Sequence, residues 1–196
     1  ANNNDGTITG ATWQTEDQCI SGKCLKFSRG TTDNVNAGDP TSLRLTTTGT
    51  VSLWVKSNSY PTGSNWDVFI NKGNWVAGRN YYSIYLQGSD STLRFDLGGA
   101  SANNPVSVSN TKLPLNTWSL LTMTWDGSNI RAYVNGVQVG STTPQTVTPD
   151  TSTYNAVVGN DTASSNSAPA GFIDEPKIYN YARSAAQVKA DFKARG

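Results

Sequence analysis

The chain has 196 residues and a net charge of +1, with 36% hydrophobic and 15% charged residues and no histidine. That length suits one domain, 1–196, with a core of useful size. No basic run is present, so nucleic acid is not an expected partner. No apolar stretch approaches the ~18 residues of a membrane-crossing helix, so membrane insertion is not expected. The lack of histidine removes Ser–His and Cys–His nucleophile systems. The chain opens at Ala1 in a polar Asn-rich run without an initiator Met. The expectation is a processed or excised part of a larger secreted or cell-surface protein.

Taken in chain order, the first local signal is CISGKC, Cys19 to Cys24, with Ser21-Gly22 as a natural turn. A hairpin of this size can bring two Cβ atoms within bridging distance, so a disulfide and an oxidising compartment are expected. After it comes period-two alternation between turn clusters. Gly49–Ser57 sets Val51, Leu53 and Val55 against Ser52, Trp54 and Lys56. Segments 81–87 and 92–97 alternate in the same way. Thr117–Trp125 is apolar on both faces and reads as a central strand, with Trp118 expected in the core. The faces of Trp54 and Trp125 stay open. Asn135-Gly136 joins two alternating runs, a strong hairpin signal. Segments 155–159 and 171–181 complete about ten to twelve strands, the spacing of an antiparallel β-sandwich. Only 185–195 reads as helix, with Ser184 as N-cap and Val188 and Phe192 four apart; it is expected to cover one end of the sandwich.

The ordered set GTITGATW, GKCLKF, Asp33-Asn34-Val35, VSLWVK, NTWSLLTMTWDGSNIRAYVNG and GFIDEPKIYNYARSAAQV resembles the laminin-G-like branch of the concanavalin A-like lectin/glucanase superfamily. The resemblance implies an all-β jelly roll of two antiparallel sheets with one short C-terminal helix. Relatives usually carry a strand upstream of the NNNDG turn. A neighbouring protein chain could therefore complete the sheet edge. Many relatives hold a structural calcium ion. By resemblance its ligands here are Asp174 and Asp33, with the Gly30 carbonyl helping, the hard oxygens calcium takes. The alternative is that Asp33 caps a turn and Asp174 pairs with a lysine or a backbone N–H.

Superfamily glycosidases need two carboxylates across the scissile bond. This chain has two glutamates, Glu16 and Glu175. Asp174 and Glu175 are adjacent, so in a strand they point to opposite faces. No catalytic residue is nominated. Glycan binding uses aromatic faces and planar polar groups. The segment 63–82 is richest in both and reads as a loop. Trp75, Arg79 and Tyr81 form the leading candidate site there, with Trp66 and Asn80 beside them. A groove holding Tyr85, Arg94 and Arg131 with Trp54 and Trp125 is the competing site. The expected function is non-catalytic, lectin-like binding of a glycan or polysaccharide. The alternatives are a structural or adhesive subunit binding protein partners and, third, a hydrolase or lyase.

Overall fold

The structure, a computed structural model, describes residues 4–74, 79–99, 103–107, 111–149, 153–161 and 166–194. Two antiparallel sheets of seven strands each face one another. The first is built from β1 (Thr7–Thr9), β4 (Asn34–Asn36), β13 (Ala156–Val158), β6 (Trp66–Asn74), β7 (Arg79–Gln87), β8 (Leu93–Gly98) and β9 (Asn103–Ser107), in that spatial order. The second runs β12 (Val137–Pro144), β11 (Asn129–Val134), β10 (Ser119–Trp125), β5 (Gly49–Ser57), β14 (Gly171–Tyr179), β3 (Leu25–Phe27) and β2 (Thr12–Trp13). This is the expected sandwich.

Alternation decides which side chains meet between the sheets. Val51, Leu53 and Val55 of β5 pack against Leu121, Met123 and Trp125 of β10 in one core cluster. Tyr82, Ile84 and Leu86 of β7 and Leu93, Phe95 and Leu97 of β8 supply the opposite wall. β10 is the predicted central strand, held between β11 and β5 and buried throughout. The Asn135-Gly136 hairpin closes β11 onto β12 with both residues at positive φ, 53° and 77°, as its tight turn requires.

The helix α1 (Ala185–Lys193) starts at a capping box between Ser184 and Gln187. It covers the outer face of the second sheet rather than an end of the sandwich. Phe192 stacks on Trp54, ring centroids 5.7 Å apart, and the Gly136 turn lies against Lys189 and Phe192. Trp54 sits on the outer side of β5, so the helix hides an aromatic that would otherwise face solvent.

Trp118 departs from its expected place. It lies just ahead of β10, half-buried on the outside, edge-on to Phe172, and its indole N–H donates to the Gln18 carbonyl at 3.2 Å. Lys56 Nζ lies over the same ring, 5.2 Å from its centre. Alternation along β10 decides the matter: Leu121, Met123 and Trp125 point into the core, so the even positions, Trp118 among them, face outward. Trp118→Ala is therefore expected to cost no more than about 2 kcal/mol in urea unfolding. A loss of ~4 kcal/mol would return it to the core.

Candidate functional site

Segment 63–82 is not one loop. It is most of an antiparallel hairpin, β6 and β7, whose pairing runs from Trp66–Gln87 to Asn74–Arg79. Trp75 lies outside the described residues, and so do the side chains of Arg79 and Asn80. Tyr81 is 1% exposed and belongs to the core. The β6–β7 register shifts beside it, between Lys72–Tyr82 and Gly73–Asn80. That shift is what a bulge does: it re-aims a side chain the plain alternation would send out. The Tyr81 ring meets Tyr82 edge-on and lies under the Lys72 ammonium. Lys72 is itself fully buried and bonds to Asp39 and the Tyr154 carbonyl. Tyr81 is therefore not a surface platform for a ligand.

Trp66 is the nominated aromatic that the structure places at the surface, half-buried at the start of β6. It stacks on Tyr85, centroids 5.4 Å apart and planes 15° from parallel. Tyr85 is on the outer face of the first sheet because Ile84 and Leu86 point into the core. The same face carries Ser83, paired with Asn71 and Asp96, and Arg94, paired with Tyr85. The Tyr85 hydroxyl donates to Asp96 Oδ2 at 3.0 Å. The Arg94 guanidinium bonds to Gln87 Oε1 at 3.0 Å and to Asp90 Oδ2 at 3.1 Å. Burial pushes the Asp96 carboxyl up to about 6, against the opposing pull of the Tyr85 bond and of Arg94. Among the described residues, Asp96 Oδ1 and Asn71 Oδ1 are buried acceptors without a hydrogen-bond partner.

The competing groove does not form as expected. Tyr85 and Arg94 share a face, but Trp125 is in the core, Trp54 is under α1, and Arg131 sits on the second sheet, bonded to Asp126 at 2.7 Å. The signal for the observed cluster was present in the alternation of YYSIYLQ and TLRFDL. Their period of two puts Tyr85, Arg94 and Asp96 on one face. What could not be read was the stacking of Trp66 onto it, which depends on the pairing of β6 with β7.

Calcium was expected on Asp174 and Asp33. Asp174 is buried, and its Oδ2 accepts the N–H groups of Ile20 at 2.8 Å and Ser21 at 3.2 Å, while Oδ1 accepts that of Glu175 at 2.8 Å. Three positively polarised hydrogens point where a cation would bind, so Asp174 does not fit as a ligand. It anchors the turn closed by the Cys19–Cys24 disulfide, Cα atoms 5.4 Å apart, to β14. Among the described residues the one group of three or more His, Cys, Asp or Glu ligand atoms within 4.8 Å of one another is Cys19, Cys24 and Asp174. Those two sulfurs are bonded to each other and hold no metal. Asp33 Oδ2 accepts the Ser28 N–H at 2.8 Å, closing the turn that presents Gly30. The alternative roles weighed for the two aspartates match this bonding.

Solved structures similar to this chain include one domain of an enzyme and two toxin binding domains. Domain 4 of AbnA, an extracellular GH43 arabinanase from Geobacillus stearothermophilus solved with arabinotriose, superposes with a TM-score of 0.72 at 23% identity, covering 95% of this chain and 87% of that one. The binding domain of Paraclostridial Mosquitocidal Protein 1 gives 0.73 at 16% identity, covering 95% of this chain. The binding domain of botulinum neurotoxin serotype G gives 0.74 at 13% identity, covering 98% of this chain. This chain spans about half of each toxin domain, 46% and 47%. At these identities the likeness establishes the fold. No curated protein sequence matches the chain. The family profile described as "Concanavalin A-like lectin/glucanases superfamily" matches residues 29–189, most of the sequence. The chain belongs to the concanavalin A-like lectin/glucanase superfamily.

Proposed function

We propose that this domain binds a glycan without cleaving it, as a module of a secreted or cell-surface protein. The observation that carries this reading is the half-exposed Trp66 ring, stacked on the buried Tyr85 and set beside the partly exposed Gln87 and Arg94 on the outer face of the first sheet. An aromatic face suits the C–H patches of a sugar ring, and planar amide and guanidinium groups suit its hydroxyls. A glycosidase needs a second carboxylate opposite the first. Asp96 is 3% exposed and accepts the Tyr85 hydroxyl, so it offers no open carboxylate to a scissile bond. That favours binding over hydrolysis. The disulfide supports an extracellular setting. The likeness to an arabinanase domain solved with arabinotriose supports a neutral oligosaccharide as ligand.

Affinity electrophoresis through neutral polysaccharides tests the site. Trp66→Ala is expected to weaken retention at least about tenfold, or about 1.4 kcal/mol. Its melting temperature should stay within about 5 °C of the parent, since the ring is only half-buried. Full retention by the variant would take the site away from Trp66.

A second reading, docking of a protein partner, has its own observation. A groove of about 580 Å³ opens between the short edge strands β1 and β2, lined by Ile8, Leu25, Val35, Val158 and Pro176. Trp13 stands on its rim, 59% exposed. Edge strands and exposed aromatics are features of protein interfaces. Loss of a partner on Trp13→Ser, with glycan binding absent throughout, would favour this reading.

A further inference from the structure

The loop 28–34 sits where the resemblance expects a calcium ion to pin it, yet a side chain already performs that task. Asn160, 2% exposed, donates from Nδ2 to the carbonyls of Thr31 and Asp33, both at 3.3 Å. Its Oδ1 accepts the N–H groups of Asp161 at 2.9 Å and Ser167 at 3.2 Å. These two donors fix the orientation of the amide. A flipped amide would face N–H with N–H on one side and oxygen with oxygen on the other. Nδ2 therefore presents positive hydrogens to the loop carbonyls, which is the electrostatic role of a cation in such a loop. The lock is tied into the first sheet at two further points. The Gly159 N–H donates to the Phe69 carbonyl and the Val68 N–H to the Ser167 carbonyl, each at 2.9 Å.

We infer that Asn160 replaces a calcium ion as the pin of the 28–34 loop, so that this domain folds and holds its loops independently of calcium. Asp174 and Asp33 are consistent with this, since their carboxylates are engaged by backbone N–H groups. A consequence concerns the sequon Asn160-Asp161-Thr162. Its acceptor nitrogen is buried and bonded in the folded chain, so the sequon is closed to glycosylation after folding.

Thermal melting of the whole chain in EDTA and again in ~1 mM calcium tests the inference, with Asn160→Asp beside the parent. The aspartate keeps the shape and the acceptor oxygen but turns a second oxygen toward two carbonyls. The parent is expected to melt within about 1 °C in the two buffers. The variant is expected to melt about 5 °C or more below the parent in EDTA and to recover part of that loss in calcium. A parent whose melting temperature rises by several degrees with calcium would overturn the inference. So would a variant that melts like the parent in EDTA, because the amide donor would then do nothing. Neither readout depends on which ligand the domain binds.

Discussion

Trp125→Ala is expected to remove about 3–5 kcal/mol of stability, which is about 10 °C or more in melting temperature for a chain of this size. The indole is fully buried at the end of β10 and stacks on Tyr82 with centroids 6.2 Å apart. It fills the space above Gly49, where a Cβ would lie 2.3 Å from the ring and 2.8 Å from Leu45. Its Nε1 has no hydrogen-bond partner among the described residues, so the substitution orphans no acceptor there and the loss is that of a cavity. Denaturant unfolding measures it. A loss below ~1 kcal/mol would mean that the core at this end of the sandwich collapses freely around the gap. The contrast with Trp118 is diagnostic, for the two rings bracket the same strand.

Asp96 gives the second large effect, and it is pH-dependent. Its folded pKa of about 6 stands above the ordinary carboxylate value because burial disfavours the charged form. The folded chain then binds more protons here than the unfolded chain does at mildly acidic pH. The stability Asp96 contributes is full below about pH 4 and is lost as pH rises through about 6, by about 3 kcal/mol in all. Arg94 and the Tyr85 hydroxyl, which face it, already moderate that loss. Asp96→Asn cannot ionise, so the stability difference between variant and parent should swing toward the variant by that amount between pH 4 and 7.5. Asp67 and Asp174 are also raised by burial and slope the same way, which is why the difference between the two proteins is the useful quantity. A difference that stays constant with pH would show Asp96 to be solvated.

The alternation of GTVSLWVKS, the Asn-Gly hairpin and the Ser184 cap placed β5, the β11–β12 turn and α1 because each rests on short-range rules that tertiary context did not override. The errors have two sources. Tyr81 turns inward at a bulge, which leaves no mark in hydrophobic pattern. Trp118 follows the alternation of β10 onto its outer face, and because Thr117–Trp125 is apolar on both faces the pattern did not say which face meets the core. The loop reading of 63–82 failed because Gly and Asn around Trp75 read as loop while β6 ahead of them carries Asp67, Asn71 and Lys72, all buried. The two charged ones are tolerated inside because each has a charged partner. Asp67 takes a bidentate bond from Arg29 at 2.8 and 2.6 Å, and Lys72 pairs with Asp39. Distant partners of this kind, 38 and 33 residues away in sequence, are invisible until the sheets are assembled.

The most direct test of the glycan-binding reading is an array of neutral and acidic oligosaccharides probed with the intact chain in EDTA. Binding to a defined set of neutral glycans, weakened by Trp66→Ala, is the predicted result. No binding to any glycan, in EDTA or in calcium, would contradict it and turn attention to the Trp13 groove and a protein partner.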